Sequence, residues 1–310
     1  AMLRSLVGSE MCIRDSNYAE NLLLKNNDEN VALSFVAENG TKHSMSYAEL
    51  RTAVSQCASG MKDMGVSEMD RVAAVIPNCP EAVIGLLAAS SIGAIWSSCS
   101  PDFGIKGIND RLGQISPKIL ITVNAYHYNG KEHDCLAKIR EVAKLIPSIE
   151  AVYVVPFTET EIEFQGNEKP WTELLDYSIN TTIFAQLPFD HPLYILYSSG
   201  TTGLPKSIVH GAGGCLLKHL TEHRYHSDIN PGDRVFYFTT CGWMMWNWLV
   251  SSLASGATII LYDGAPTFPD TGRMWELIDD QQITHFGTSP KYLSAVNKAG
   301  YSPRKNNQLI

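Results

Sequence analysis

No C-x-x-C pair occurs among the seven cysteines, which stand at 12, 57, 79, 99, 135, 215 and 241. Scattered, odd-numbered thiols suit a reducing compartment and provide no metal-site spacing, so they read as core or near-surface residues. An apolar run of about 18 residues is also missing. So is a basic N-terminal region followed by a clean hydrophobic segment. Neither a membrane span nor a secretory signal is therefore read, and a cytoplasmic location is expected. Positive charge is in deficit: 24 Lys and Arg face 32 Asp and Glu, for a formal net charge of -8. That balance argues against a nucleic acid or an anionic membrane as the main partner, although one basic patch could still take a phosphorylated cofactor. No internal repeat is convincing.

What is present is a chain of 310 residues, 45% apolar and 18% charged, long enough for a large core and for two or more subdomains. Residues 1–16, AMLRSLVGSEMCIRDS, differ from the rest and resemble a translated sequencing-adapter fragment. They are set aside as a non-native leader; the rival reading is a short amphipathic helix. Strands are predicted over 31–37, 71–76, 94–98, 119–123, 151–155, 192–197, 235–239, 258–262 and 283–286. Helical patterns fall between them, over 47–64, 80–91, 104–113, 131–145, 211–226, 246–253, 271–281 and 290–299. Ser46 with Glu49 makes a capping box, and Pro80 and Pro290 suit helix starts. The fully apolar VAAVI of the 71–76 strand suits a sheet covered on both faces. This alternation predicts an α/β protein with layered parallel or mixed sheets and flanking helices. A first α/β subdomain is expected over 17–190, with a weakly patterned excursion (157–190) in which only 171–175 suggests a short helix, and a second over 191–310.

The most informative stretch runs from Tyr194 to Lys206, YILYSSGTTGLPK. A β-rich run empties into Ser198, Ser199, Gly200, Thr201, Thr202 and Gly203, and then reaches Lys206. Glycines let successive N–H groups converge on an anion, the hydroxyls add donors, and the lysine adds a mobile charge. The alternative is a flexible Ser/Gly linker. The stretch is not a G-x-x-x-x-G-K-[ST] loop, because Pro205 stands where that pattern needs glycine.

A second stretch, Tyr237 to Trp248 (YFTTCGWMMWNW), places bulky Trp and Met side chains where a buried strand should end and a helix begin. That is where ligands collect in open α/β sheets. A packed strand–helix corner is the other reading. His219, His223 and His226 share a helical face with zinc-like spacing, but Lys218 and Arg224 crowd it. An exposed or half-buried polar face is expected there, and no metal is assigned.

The run from Tyr197 to Lys206 carries the whole aromatic-[TS]-S-G-[TS]-T-G-x-P-K signature and resembles the adenylate-forming superfamily of acyl-CoA synthetases, luciferases and peptide-synthetase adenylation domains. The early NYAENLL at Asn17–Leu23 resembles acetyl- and acetoacetyl-CoA synthetases alike, and the GWMMWNW segment resembles the acetoacetyl-CoA synthetase branch most. The resemblance implies that Ser198 to Gly203 wrap the β- and γ-phosphates of ATP. Lys206 would then offset charge, and Thr201 and Thr202 would contact phosphate or its Mg2+. It implies an acyl pocket at Trp243, Met244 and Met245. There Met244 replaces the valine and Met245 the threonine of acetyl-CoA synthetases, a departure that favours acetoacetate over acetate or propionate. It also implies that Arg111, downstream of the Ser100-Pro101-Asp102 segment, meets the 3′-phosphate of CoA. A helix-surface arginine paired with Asp110 is the alternative, and Gln114 stands where a second arginine is often found. The resemblance spans residues 17–310 but only the front of the family's proteins. The chain is expected to be a truncated portion unable to complete catalysis alone, and a non-catalytic nucleotide-binding domain is the reading of a different class.

Overall fold

The computed structural model describes residues 16–24, 26–177, 184–198 and 203–306. A helix α1 (Tyr18–Leu23) leads into β1 (Val31–Ala37), β2 (Lys42–Ser46) and α2 (Tyr47–Asp63). A βα alternation follows: β3 (Arg71–Val75), α3 (Pro80–Ser91), β4 (Ile95–Cys99), α4 (Ile105–Leu112) and β5 (Ile119–Val123). Next come the hairpin β6 (Ala125–Tyr128) and β7 (Lys131–Asp134), then α5 (Leu136–Leu145), β8 (Ala151–Val155) and β9 (Glu168–Pro170). The remainder comprises β10 (Pro192–Tyr197), β11 (Ser207–Gly211), α6 (Ala212–Thr221), β12 (Arg234–Tyr237), α7 (Met244–Ser251) and β13 (Thr258–Asp263). It ends with α8 (Arg273–Gln281), β14 (His285–Gly287), α9 (Pro290–Lys298) and α10 (Pro303–Asn306).

Two sheets carry the architecture. One has seven strands in the order β11-β10-β4-β3-β5-β8-β9, the other five in the order β14-β12-β13-β1-β2. Their interiors are parallel, as the apolar strands predicted, while β2 and β11 run antiparallel to their neighbours at the edges. The sheets therefore draw on both ends of the described chain. β1 and β2 join β12 to β14, and β10 and β11 complete the first sheet. The expected division near residue 190 does not coincide with a division between sheets.

Alternation along β3 explains why its Val72–Val75 stretch, VAAV, is apolar. Val72 and Ala74 pack with α2 and α3, in a core that continues to Leu33, Ile259 and Leu261 of the five-stranded sheet. Ala73 and Val75 face the opposite way, onto Ile108 and Leu112 of α4 and Ile139 and Val142 of α5. Covered on both faces, the strand is buried from Val72 to Val75, and its one polar residue, Arg71, stands at the half-buried start. Helix α3 is buried along nearly its whole length, in the layer shared by the two sheets. Gly85 is required there because a Cβ would come within 2.8 Å of the Trp96 ring. The capping box of α2 forms as read: the Glu49 N–H donates to Ser46 Oγ, and the Ser46 N–H donates to Glu49 Oε2.

Several expectations are corrected. Residues 131–134 pair as a strand with β6, and the helix begins at Leu136, where Asp134 accepts from the Leu136 and Ala137 N–H groups. The patterned stretch 246–253 begins earlier as helix, at Met244, and closes in a 3-10 turn, Ser252–Ser255. Within the weakly patterned excursion, β9 extends the seven-stranded sheet, followed by a 3-10 turn at Trp171–Leu174. Of the excluded leader, Ser16 is described and bridges to Leu187; residues 1–15 lie outside the described residues. Asn17 is almost fully buried and donates to the Ser90, Ser91 and Ala185 carbonyls. Among the described residues no helix is long and apolar enough to cross a membrane.

Candidate active site

At the carboxyl ends of the two sheets a cleft of about 460 Å3 opens, lined among others by Phe103, Arg111, Tyr197, His210, Trp243 and Met244. This is where an open α/β sheet offers unfilled space, since its strands end and its connections diverge. β4 ends at Cys99 and β10 at Tyr197, so two strands of the seven-stranded sheet deliver their last residues here, and the segment that follows β12 adds Gly242, Trp243 and Met244. The Ser98 hydroxyl donates to the Cys241 carbonyl at 2.7 Å and fixes one wall to the other. A larger hollow of about 620 Å3 lies beside α5 and residues 165–168. Its Arg140 and Glu168 already satisfy one another at 2.7 Å, and no motif residue reaches it, so the cleft is the better candidate.

Around the Ser/Thr/Gly loop, Ser199, Gly200, Thr201 and Thr202 lie outside the described residues. The two ends of the loop are described. Strand β10 delivers a half-buried Ser198, whose N–H donates to the Lys206 carbonyl at 3.0 Å and closes the base. Gly203 has φ +112, a conformation that side-chain-bearing residues rarely adopt. Lys206 is exposed at the exit, and the chain then turns back along β10 as β11. That antiparallel return, which brings Ile208 and His210 into the cleft wall, escaped the sequence reading.

Arg111 sits with its guanidinium 4.2 Å from the centre of the Phe103 ring and donates to the Gly107 carbonyl at 2.8 Å. Asp110 does not hold it; that carboxylate pairs with Lys106 at 2.6 Å. The Phe103 ring holds the guanidinium over an apolar face, and its remaining donors are suited to an anion. Trp243 and Met244, 68% and 47% exposed, face the same cleft from the start of α7. Met245 is half-buried and is not among the lining side chains. Arg111, Trp243 and Met244 are thus brought together, with Lys206 two residues before the lining Ile208.

His210, another cleft residue, lies with its ring 5.1 Å from that of Tyr194, and burial lowers its pKa, favouring the neutral imidazole. Asp102 turns instead toward a smaller chamber of about 120 Å3, accepting from Tyr126 Oη at 2.9 Å and from Ser100 Oγ at 2.8 Å. Asp263 shares that chamber; burial, then the Asp102 and Glu38 charges, push its carboxyl well above the usual range.

The histidine face is corrected. His219 and His223 are buried and only His226 is exposed, because the helical path continues past Thr221 as a π-helical turn, Glu222–His226, packed against α7. His219 Nδ1 lies 2.7 Å from Ser251 Oγ, and His223 Nε2 lies 3.1 Å from the Trp248 carbonyl.

The sequence profile of the family described as "AMP-binding enzyme" matches residues 23–309. An acetoacetyl-coenzyme A synthetase of Rhizobium meliloti is 46% identical over 297 residues, covering 94% of this chain and 45% of the relative. A malonamoyl-CoA synthetase of Penicillium aethiopicum is 42% identical over 317 residues, again 94% of this chain and 44% of the relative. Among solved structures, an acetoacetyl-CoA synthetase from Streptomyces lividans superposes with a TM-score of 0.91 at 42% identity, covering 95% of this chain and 46% of that one. The chain thus spans a little under half the length of the relatives it matches. A profile running through nearly all of it, with a shared fold behind the match, means that the chain belongs to the AMP-binding enzyme family.

Proposed function

We propose that the full-length protein is an ATP-dependent, AMP-forming acid–thiol ligase whose acid is acetoacetate. A carboxylate oxygen attacks the α-phosphorus and pyrophosphate leaves, giving acetoacetyl-adenylate. The CoA thiol then attacks the acyl carbon, AMP leaves, and acetoacetyl-CoA results. The observation that carries this reading is one cleft lined by Tyr197 and Ile208, which bracket the Ser198–Lys206 stretch in the chain, by Arg111 and by Trp243 and Met244. An adenylating ligase needs a place for a polyphosphate, a small acid and a phosphorylated thiol within reach of one another.

In this reading Ser198, Ser199, Gly200, Thr201, Thr202 and Gly203 cradle the β- and γ-phosphates, and Lys206 stabilises the charge that builds as pyrophosphate departs. Thr201 or Thr202 would contact a Mg2+ ion bound with the nucleotide, which would supply further charge neutralisation. Trp243 and Met244, with Met245 behind them, limit the acid to a short one. Arg111 takes the CoA phosphate. Partners are small molecules, with neither nucleic acid nor membrane, and the unpaired cysteines and net negative charge support a cytoplasmic location.

A second reading keeps the chemistry and changes the acid. Malonamate has the same length as acetoacetate and the same carbonyl at carbon 3, with an amide nitrogen in place of the terminal methyl, and the Penicillium relative favours it. The test of the reaction class is the fate of ATP in the full-length protein supplied with acetoacetate and CoA. AMP and pyrophosphate in equal amounts are expected; ADP and phosphate would refute the reading.

A further inference from the structure

Gln114 stands where the family resemblance expects a second CoA-binding arginine, and its contacts point elsewhere. Its N–H donates to the Arg111 carbonyl as α4 ends, which leaves the side chain directed across to the loop exit. Nε2 donates to the Pro205 carbonyl at 2.8 Å and to the Asp110 carbonyl at 2.5 Å, and Oε1 accepts from Ser207 Oγ at 3.1 Å. One amide therefore holds the residue before Lys206 and the residue after it, while the Ser198 N–H holds the Lys206 carbonyl. Three consecutive residues are fixed from two elements.

We propose that Gln114 is a positioning residue for adenylation, acting through Pro205 and Ser207 on Lys206. The inference rests on the phosphate role given to that lysine above. A lysine reaches its target through a flexible four-carbon stem, so the spread of Nζ positions depends on how firmly its own backbone is held. The residue type follows from the two partners. A carbonyl needs a donor and a hydroxyl needs an acceptor; a side-chain amide offers both, whereas arginine offers donors alone. Asparagine has the chemistry but is one methylene shorter. At this position the chain has exchanged a cation for a clamp.

The test uses the full-length protein and separates the half-reactions: acid-dependent exchange of pyrophosphate into ATP, and thioester formation from preformed acyl-adenylate. Gln114→Ala is expected to slow exchange about ten- to a hundredfold, the range a small displacement of a positioned group produces. Thioester formation, the KM for CoA and the thermal midpoint should not move, because the side chain is exposed. Gln114→Arg keeps the donor to Pro205 and loses the acceptor for Ser207, so exchange should be intermediate with no gain in CoA affinity. Adding Gln114→Ala to Lys206→Ala should cost little more than Lys206→Ala alone. Unchanged exchange in Gln114→Ala, a raised KM for CoA, or a full further loss on the Lys206→Ala background would each overturn the inference. Wild-type protein without acid-dependent exchange would overturn the ligase reading as well, whereas exchange in wild type that survives Gln114→Ala would overturn this inference alone.

Discussion

Ser98 Oγ donates to the Cys241 carbonyl at 2.7 Å, and the same hydroxyl accepts from Trp96 Nε1 at 3.1 Å. Ser98 is the penultimate residue of β4 in the seven-stranded sheet, and Cys241 follows β12 of the five-stranded one, so this hydroxyl bolts the two walls of the cleft together. Both residues are buried, and alanine at 98 would leave a carbonyl and an indole N–H without their partner. Ser98→Ala is expected to cost about 1–3 kcal/mol, read as a lower urea midpoint. Because Gly242 and Trp243 follow Cys241 directly, the acid KM should rise with it.

Lys206 is exposed, so its removal should spare the fold and strike the chemistry. Lys206→Ala should lower the rate of acid-dependent pyrophosphate release about a hundredfold, the scale of losing one charge-stabilising donor. Its unfolding midpoint should stay within about 0.5 kcal/mol of the parent, as for surface substitutions elsewhere.

For Arg111 the expected effect falls on the other half-reaction. Arg111→Ala should raise the KM for CoA about tenfold or more, as loss of a charge-assisted hydrogen bond does, while adenylation without CoA proceeds normally. Lysine should restore little, since it cannot present a planar pair of donors from over the Phe103 ring.

Much of this was legible from residue order. The VAAV stretch of β3 and the AVYVV strand, both buried throughout, required cover on both faces, and the Ser46–Glu49 capping box fixed where α2 starts. The end of the apolar strand at Tyr197 and the aromatic corner at Trp243, both marked by residue order, line one cleft. What was not legible were pairings between distant segments. β1 looks like a first strand of a first domain, yet its neighbour is β13, more than two hundred residues on. The hydrophobic pattern states that a strand is buried without stating beside which strand. β11 was missed because Ile208 and Val209 are exposed at a sheet edge, so no burial pattern marks them. Gln114 read as a missing arginine because its partners, Pro205 and Ser207, lie some 91 and 93 positions away.

Burial of His219 and His223 gives stability a pH dependence. Desolvation is the main cause in both; His210 and Lys218 lower His219 further, His219 lowers His223 further, and Glu222 opposes the shift in each. Both fall from 6.5 to about 4 in the folded protein. Above pH 6.5 folded and unfolded chains both hold these imidazoles neutral, and stability is complete. Between about 6.5 and 4 the unfolded chain takes up protons that the folded one does not, so stability falls, and below about 4 this contribution levels off. Urea midpoints measured from pH 7.5 down to 4 should decline over that window. His219→Gln, which retains a partner for Ser251, should make the decline shallower.

The choice of acid is decided by comparing kcat/KM for acetoacetate with kcat/KM for acetate in the full-length protein, read as pyrophosphate release at saturating ATP. With Met244 in the cleft wall where acetyl-CoA synthetases carry a smaller residue, acetoacetate is predicted to have the larger constant, and replacing Met244–Met245 by Val–Thr should narrow the gap. A larger constant for acetate in the unmodified protein would contradict the account.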